Sequence, residues 1–188
     1  MAKQRKTIIT CAITGAIHTP TMSDALPYTA ADITSQAIAA SEAGASILHL
    51  HARRENDGGV SVEPSDFARF LPRIKQATDA IVNISTGGSL TLSIKDRVKP
   101  ATTFSPEMCS LNMGSMNFSF HPLAERYDQW KFDWEKDYVK GSEGNIFRNT
   151  FRDIREAAET LAPHDIKFEH ECYCLLYTSD AADDTPCV

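Results

Sequence analysis

The sequence has no long apolar run, and this absence excludes a membrane-spanning protein. None of its hydrophobic stretches approaches the roughly 18 residues that a transmembrane helix needs. The first six residues, MAKQRK, lead directly into a strand pattern without the apolar core of a signal peptide. We therefore expect a cytoplasmic protein that does not interact with membranes.

The sequence also lacks an excess of positive charge. It contains 19 Lys and Arg against 25 Asp and Glu, a formal net charge of -6, and the basic residues are scattered. Proteins that bind DNA or RNA usually cluster Lys and Arg to neutralise phosphates. We therefore expect no nucleic-acid partner and favour small-molecule chemistry.

The five cysteines follow no recurring spacing, and an odd number cannot all pair. Disulfide frameworks are typical of small secreted domains with an even number of cysteines. Cys172 and Cys174 form a single C-x-C pattern, which lacks the second pair that a zinc cluster needs. Reduced thiols are expected, as in a cytosolic enzyme.

Strand and helix patterns alternate along the chain. Apolar, β-branched runs predict strands at residues 7–14, 46–51, 80–85, 108–118 and 166–173. Helical patterns lie between them: from the N-cap Thr29 to the C-cap Gly44, from Pro64 to about Ile74, a short helix that stops near Pro100, and 145–161. Such alternation predicts a parallel sheet covered by helices, in the α/β class.

Two architectures fit this order, an open doubly wound sheet and a closed (β/α)8 TIM barrel. In a barrel, active-site residues gather at the carboxyl ends of successive strands. Polar residues end all five predicted strands here: Thr14, His49 with His51, Ser85 with Thr86, Ser115 with Asn117, and Glu169 with Glu171. No G-x-G-x-x-G follows the first strand, as a dinucleotide-binding open sheet would require. The pattern favours a TIM barrel of which only about the first five strands are present.

Residues 174–188 differ in character from the rest of the chain. The segment CLLYTSDAADDTPCV has neither helix nor strand periodicity, and it resembles the translation of a sequencing-library adapter. A TIM barrel usually needs about 250 residues. We therefore expect residues 1–173 to be the N-terminal part of a single TIM-barrel domain, and residues 174–188 to be a non-native tail. A genuine irregular C-terminus is the alternative.

The motif His49-Leu50-His51 is the main candidate for a metal site. Residues i and i+2 of a strand project to the same side, so the two imidazoles face the same way. Imidazole suits Zn²⁺, and catalytic zinc commonly has three protein ligands and one open position. A hydrogen-bonded pair of core histidines is the alternative, but the position at a barrel strand's carboxyl end favours the metal. Amidohydrolase-type barrels place H-x-H on the first strand, whereas here it ends the second.

Five motifs in order along the chain are more specific than any one alone. They are ITCAITGA (9–16), SILHLHAR (46–53), NISTGG (83–88), PEMCSLNMGSMNF (106–118) and FEHECY (168–173). Together they resemble the β-keto acid cleavage enzymes, the family of 3-keto-5-aminohexanoate cleavage enzyme. The resemblance implies a zinc-dependent TIM barrel that converts a β-keto acid and acetyl-CoA into acetoacetate and the CoA ester of the remaining acyl group. It also implies a homo-oligomer at full length.

The resemblance further implies roles for individual residues. His49 and His51 would be zinc ligands, and a glutamate from a later strand, beyond this sequence, would be the third. Glu171 would be the catalytic carboxylate, although a carboxylate at this position can instead orient a histidine. The implied substrate-binding residues are His18, Ser85, Thr86, Gly87, Ser115 and Asn117. Ser115 stands where relatives can have threonine, and Ser85 and Ser115 have loop capping as their alternative role.

One position departs from the family pattern. The family member that cleaves 3-keto-5-aminohexanoate has a glutamate after its ITGA motif that meets the substrate's amino group, whereas this sequence has Ile17 followed by His18. Because an apolar side chain cannot pair with an ammonium group, we expect another β-keto acid as substrate. His18 would contact an anionic or hydroxylated tail, or would simply lie in a surface loop.

Two other functional interpretations stay open. A metal-dependent lyase or aldolase on the same barrel would need no CoA, so activity without acetyl-CoA would distinguish it. The 188-residue chain by itself is expected to be inactive, because an incomplete barrel leaves open sheet edges and an incomplete set of metal ligands. A binding module is favoured only if an intact version binds zinc without turnover.

Overall fold

The computed structural model describes residues 6–88, 92–117 and 119–173. The described strands, in chain order, are β1 (Thr10–Ala12), β2 (Ile47–Leu50), β3 (Ala52–Arg53), β4 (Val60–Ser61), β5 (Ile81–Ile84), β6 (Met108–Asn112), β7 (Met116–Asn117), β8 (Ile146–Phe147) and β9 (Lys167–Glu171). The α-helices are α1 (Ala30–Glu42), α2 (Pro64–Ala68), α3 (Leu71–Ala77), α4 (Ile94–Phe104), α5 (Asp133–Gly141) and α6 (Phe151–Leu161), with 3₁₀ helices at His121–Arg126 and Ala162–His164. Within these ranges, no helix has the length and apolar character that crossing a bilayer requires.

The main sheet has five parallel strands in the order β1-β2-β5-β6-β9. Each strand is therefore bonded to the next main strand along the chain, and the order never reverses. Two further pairs of short antiparallel strands, β3-β4 and β7-β8, form separate two-stranded sheets. An unreversed parallel order is typical of a barrel, whereas a doubly wound sheet changes direction at a switch point.

The sheet is strongly curved. Strands β2 and β9 are separated by β5 and β6, and in a flat sheet their axes would lie roughly 14 Å apart. Yet His49 Nδ1 on β2 and Glu169 Oε2 on β9 are 3.2 Å apart. The inner faces of these strands therefore converge, and the predicted fold, a TIM barrel represented by its first five strands, is confirmed. The division into a barrel domain ending at residue 173 and a tail stays a prediction, because residues 174–188 lie outside the described residues.

Helices pack against the outer face of the sheet and bury its apolar side chains. Leu48 and Leu50 of β2 are fully buried there, in one cluster with Ile33 of α1 and Ile74 of α3. Burying a Leu or Ile side chain stabilises the fold by about 1.5–3 kcal/mol. Because strand residues alternate, the packing of Leu48 and Leu50 turns His49 and His51 toward the inside of the curved sheet.

The predicted boundaries of the first helix are confirmed. The Thr29 hydroxyl accepts a hydrogen bond from the Asp32 N–H at 3.1 Å and caps the start of α1. Gly44 follows the end of α1 with a φ of 108°, a conformation that favours glycine. These two residues fix the connection between β1 and β2.

Other predicted boundaries were wrong. The first strand is limited to Thr10–Ala12, and the helix predicted from Pro64 is divided into α2 and α3, which ends at Ala77. Helix α4 does not stop near Pro100 but continues to Phe104, because burial of Ala101 offsets the one hydrogen bond that proline removes. The fourth predicted strand ends at Asn112, and Met116–Asn117 pairs instead with β8 in a separate two-stranded sheet. The last predicted helix begins at Phe151, because Thr150 and Asp153 form a capping box.

The described cysteines differ in burial, and this predicts their reactivity. Cys109 is fully buried on β6, and burial raises the pKa of its thiol to about 12. Cys11 and Cys172 are only partly buried. Because the thiolate is the reactive form, iodoacetamide is expected to modify Cys11 and Cys172 at least about tenfold faster than Cys109 in the native protein. Peptide mass spectrometry over time checks this, and equal rates at the three sites would contradict the described packing.

Candidate active site

A cavity of about 400 Å³ lies at the carboxyl ends of the parallel strands. Every main strand contributes to its lining, either directly or through the loop that follows it: His18 after β1, His49 and His51 at β2, Ser85 and Gly87 after β5, Asn112 at the end of β6, and Glu171 at the end of β9. Trp134 and Tyr138 of α5 form a further wall. Active sites of TIM barrels lie at this end of the strands.

His49 and His51 meet inside the cavity. They are 8% and 9% exposed, and their Nε2 atoms are 3.3 Å apart. Two nitrogens bound to one tetrahedral zinc at about 2.0–2.1 Å each would be separated by roughly the same distance. Burial, helped by the nearby charges of His49 and Arg53, lowers the pKa of His51 to about 3. His51 is therefore neutral at physiological pH, as a metal ligand must be.

Two glutamates of β9 extend this cluster. Glu169 and Glu171 alternate on the strand, so both carboxylates face inward. One ligand atom from each of His49, Glu169 and Glu171 can be chosen so that all three lie within 4.8 Å of one another. Imidazole and carboxylate groups together are a donor set that suits zinc. The inner end of the sheet therefore presents the chemistry of a metal site.

Asn83 and Asn112 hold these carboxylates. The Asn83 amide donates to Glu169 Oε2 at 2.6 Å, and the Asn112 amide donates to Glu171 Oε2. Both asparagines are buried, and the Oδ1 atom of each has no hydrogen-bond partner within the described residues. An unsatisfied buried acceptor typically costs about 1–3 kcal/mol. Asn112 is also one of the residues that line the cavity.

Tyr173 adds a second donor to Glu171, through its hydroxyl at 3.1 Å. Burial, and next the negative charge of Glu171, raise the pKa of Tyr173 to about 12. The phenol therefore remains protonated and keeps donating to the carboxylate at physiological pH. Glu171 is thus fixed in orientation at the edge of the cavity.

Arg53 fixes the loop that carries His18. The residue is 2% exposed, and its guanidinium donates to Thr14 Oγ1 at 2.9 Å, to the carbonyl oxygens of Gly58 and His18 at 2.8 Å each, and to the carbonyl oxygen of Gly15. Burial lowers the pKa of Arg53 to about 10, so it is still charged at neutral pH. One buried cation therefore joins the loop after β1 to the β3-β4 turn.

Helix α5 covers one side of the cavity and is anchored by hydrogen bonds of three of its side chains. The Trp134 indole donates to the Asp57 carbonyl at 2.9 Å, and the Tyr138 hydroxyl donates to the Ala16 carbonyl at 3.0 Å. The fully buried carboxylate of Glu135 accepts from the Thr21 N–H at 2.9 Å and from the Thr21 hydroxyl at 3.0 Å. These contacts hold the aromatic side chains of α5 against the cavity.

Most residues predicted for the site meet at the cavity: His18, His49, His51, Ser85, Gly87 and Glu171. The other three are not in its lining. Thr86 is buried and donates its hydroxyl to the Ser110 carbonyl at 2.7 Å. The Ser115 hydroxyl accepts from the Asn149 N–H at 2.8 Å, which is the loop-capping role, and Asn117 is exposed on β7.

Sequence reasoning missed Asn83, Asn112, Trp134 and Tyr138 as site residues. The register of the sheet is the signal that would have found the asparagines. Asn83 lies beside His49 in the β2-β5 pairing, and Asn112 lies beside Glu171 in the β6-β9 pairing. The aromatic residues follow no strand or helix rule that points to the cavity.

The sequence is similar to those of known proteins. The chain is 49% identical over 173 residues to 3,5-dioxohexanoate:acetyl-CoA acetone transferase of Paraburkholderia graminis. The aligned region covers 92% of this chain and 56% of that protein. It is 41% identical over 136 residues to 3-keto-5-aminohexanoate cleavage enzyme of Acetoanaerobium sticklandii. This aligned region covers 72% of this chain and 49% of that protein. The chain thus spans about half the length of these relatives.

Structural and family comparisons lead to the same group. The solved apo structure of ObcA matches this chain with a TM-score of 0.58 at 20% identity. The match covers 79% of this chain and 30% of the ObcA chain, and it supports the fold alone. The sequence model of the family described as beta-keto acid cleavage enzyme matches residues 6–182. The chain belongs to the β-keto acid cleavage enzyme family.

Proposed function

We propose that the complete protein is a zinc-dependent acyltransferase that converts a β-keto acid and acetyl-CoA into acetoacetate and an acyl-CoA. Family membership and the acetyl-CoA-dependent relative of P. graminis support the reaction class. Because the chain spans about half the length of its relatives, the activity is proposed for the complete protein. The 188 residues alone are expected to be inactive.

The observation that carries the proposal is the convergence of two imidazoles, 3.3 Å apart, beside carboxylates at the catalytic end of a barrel. His49 and His51 are the proposed zinc ligands, and a further protein ligand is expected from the other half of the barrel. Bound zinc would act as a Lewis acid toward the ketone oxygen of the substrate.

The remaining groups of the cavity suit the carboxylate end of a β-keto acid. The Ser85 hydroxyl accepts from the Gly87 N–H at 3.2 Å, and a hydroxyl can donate its own proton at the same time. Ser85 can therefore hold the substrate carboxylate. Glu171, oriented by Asn112 and Tyr173, is placed to accept or hold a proton from the carbon between the two carbonyl groups.

The reaction balances without an added oxidant or reductant. The acetyl group of acetyl-CoA becomes bonded to the carbon that carries the substrate carboxylate, and acetoacetate results. The bond between that carbon and the substrate's ketone carbon breaks. The CoA sulfur becomes bonded to the released acyl group, so each thioester bond broken is replaced by another.

The cavity favours a substrate whose acyl tail carries no positive charge. Apolar and aromatic side chains line much of it, among them Ile17, Val60, Trp134 and Phe147. An ammonium group beside Ile17 would lose its water without gaining a partner, which is unfavourable by several kcal/mol. His18 is proposed to contact a carbonyl or hydroxyl group of this tail, and Thr86, Ser115 and Asn117 are proposed to support the surrounding loops.

A lyase that uses the same metal and no CoA is the second candidate. The histidines and glutamates at the proposed metal site support a lyase equally well, because Lewis-acid activation of a ketone does not itself require a thioester. The two candidates differ in their dependence on acetyl-CoA.

The test is an assay of the complete protein. It would be expressed from the gene after the part that follows the Tyr173 codon has been recovered. Acetoacetate formation would be measured from 3,5-dioxohexanoate, 3-keto-5-aminohexanoate and 3-oxoadipate, with and without acetyl-CoA and a chelator. We expect activity that requires both acetyl-CoA and metal, with kcat/KM at least about tenfold higher for the uncharged tail than for the cationic one. Activity without acetyl-CoA would favour the lyase, and a preference for the cationic substrate would contradict the proposed tail specificity.

A further inference from the structure

We infer that Glu169 is a positioning residue that presents His49 to the metal, and is not itself a metal ligand. The inference rests on the proposed zinc site and adds a role to a residue outside the proposed catalytic set. It starts from the contact between Glu169 Oε2 and His49 Nδ1, which are 3.2 Å apart across the curved sheet.

This contact selects one tautomer of His49. An ionised carboxylate only accepts hydrogen bonds, so Nδ1 of His49 must carry the proton. In a neutral imidazole the lone pair then lies on Nε2, which is the atom that faces His51 Nε2 at 3.3 Å. Glu169 thereby directs the metal-binding nitrogen of His49 toward its partner ligand.

The same geometry argues against direct coordination by Glu169. The two nitrogens of an imidazole point away from each other, so an ion bound by Nε2 lies on the opposite edge of the His49 ring from Glu169. In addition, Glu169 Oε2 already accepts from the Asn83 amide at 2.6 Å. An oxygen held by two donors on the far side of the ring is placed to orient the histidine.

Asn83 extends this arrangement by one residue. It is fully buried, lies beside His49 in the sheet register, and donates to Glu169 through Nδ2. The Asn83 Nδ2 atom is also 3.4 Å from His49 Nδ1, but two donors cannot form a hydrogen bond with each other. When Nδ1 carries the proton, both groups therefore donate to Glu169. Asn83 therefore acts on His49 through Glu169.

The test compares zinc affinity in the full-length protein, measured by competition with a chelator. Loss of a carboxylate that orients a ligating histidine typically weakens metal binding by about 10–100-fold. We expect a loss in this range for Glu169→Gln and no change for Glu159→Gln, which removes the same charge from an exposed position on α6. The absorption spectrum of bound Co²⁺ should keep its shape in Glu169→Gln, because the ligands are unchanged.

Two further measurements separate positioning from a general structural effect. Asn83→Ala should weaken zinc binding, but should add little when combined with Glu169→Gln, because both changes break the same chain of contacts. In the metal-free wild type, ¹⁵N NMR should find the proton of His49 on Nδ1, and Glu169→Gln should reduce that preference.

The outcomes are distinguishable. Equal zinc affinity of the wild type and Glu169→Gln would overturn this inference and leave the proposed function intact. A loss above about 10³-fold with an altered Co²⁺ spectrum would also overturn it, since Glu169 would then be a ligand. Absence of zinc binding by the wild type would overturn the proposed metal site together with this inference.

Discussion

Replacement of His49 by alanine is expected to release the metal and to lower kcat/KM for acetoacetate formation by about 10³-fold or more. Lewis-acid stabilisation of the reacting carbonyl contributes several kcal/mol, and each 1.4 kcal/mol is about tenfold in rate. The variant would leave His51 alone at the end of β2, without the second nitrogen 3.3 Å away. Metal content and turnover of the full-length variant are the two measurements.

His170→Ala is the matched control for this experiment. His170 lies on β9 between Glu169 and Glu171, but strand alternation turns it to the other face of the sheet, where it is exposed. It should retain metal and activity. If His170→Ala lost as much zinc as His49→Ala, or if His49→Ala stayed fully active, the proposed ligand set would be wrong.

Replacement of Arg53 by methionine is expected to lower the free energy of unfolding by about 3–5 kcal/mol. Methionine has a similar length, but it cannot donate to the four oxygen atoms that the buried guanidinium satisfies. Leaving buried acceptors without a partner is unfavourable by about 1–3 kcal/mol each, partly offset where water enters. Urea denaturation of the full-length protein measures the change.

The adjacent arginine supplies the control. The Arg54 side chain is 45% exposed and pairs with Asp57 at 2.9 Å. Exposed ion pairs of this kind contribute about 0–1 kcal/mol, so Arg54→Met should change stability by less than about 1 kcal/mol. Similar losses for the two variants would show that Arg53 is not the residue that holds the loops together.

The fold could be predicted from the sequence because its determinants are local. Apolar runs alternate with helical periodicity, and single residues such as Thr29 and Gly44 mark the ends of α1 through their own hydrogen bonds and φ angles. The wrong predictions have two causes: the start of α6 follows a local capping box of Thr150 and Asp153 that was overlooked, and in α4 tertiary packing overrides a local rule. Pro100 stays inside α4 because the helix around it is buried.

The site could be predicted only in part. The motif HLH places two imidazoles on one face of a strand whatever the rest of the chain does. The meeting of Glu169 with His49 depends instead on the register and curvature of a sheet that brings residues 120 positions apart into contact. Such contacts have no counterpart in the spacing of residues along the chain.

Adjacent residues of one motif can also have different environments in the structure. Ser85 and Thr86 both follow β5, yet only Ser85 lines the cavity, while Thr86 turns away and bonds to Ser110. Helix α5 supplies Trp134 and Tyr138 from a segment whose sequence shows aromatic content but no site motif. The sequence motifs therefore predicted where the site lies, but not which residues of each motif line the cavity.

The most direct test of the account follows the acetyl group of acetyl-CoA labelled with carbon-13. The full-length protein would be given labelled acetyl-CoA and unlabelled β-keto acid, and both products analysed by NMR. The account predicts that the label appears in the acetyl half of acetoacetate and that the new acyl-CoA is unlabelled. Unlabelled acetoacetate, or cleavage of the keto acid while acetyl-CoA remains intact, would contradict it.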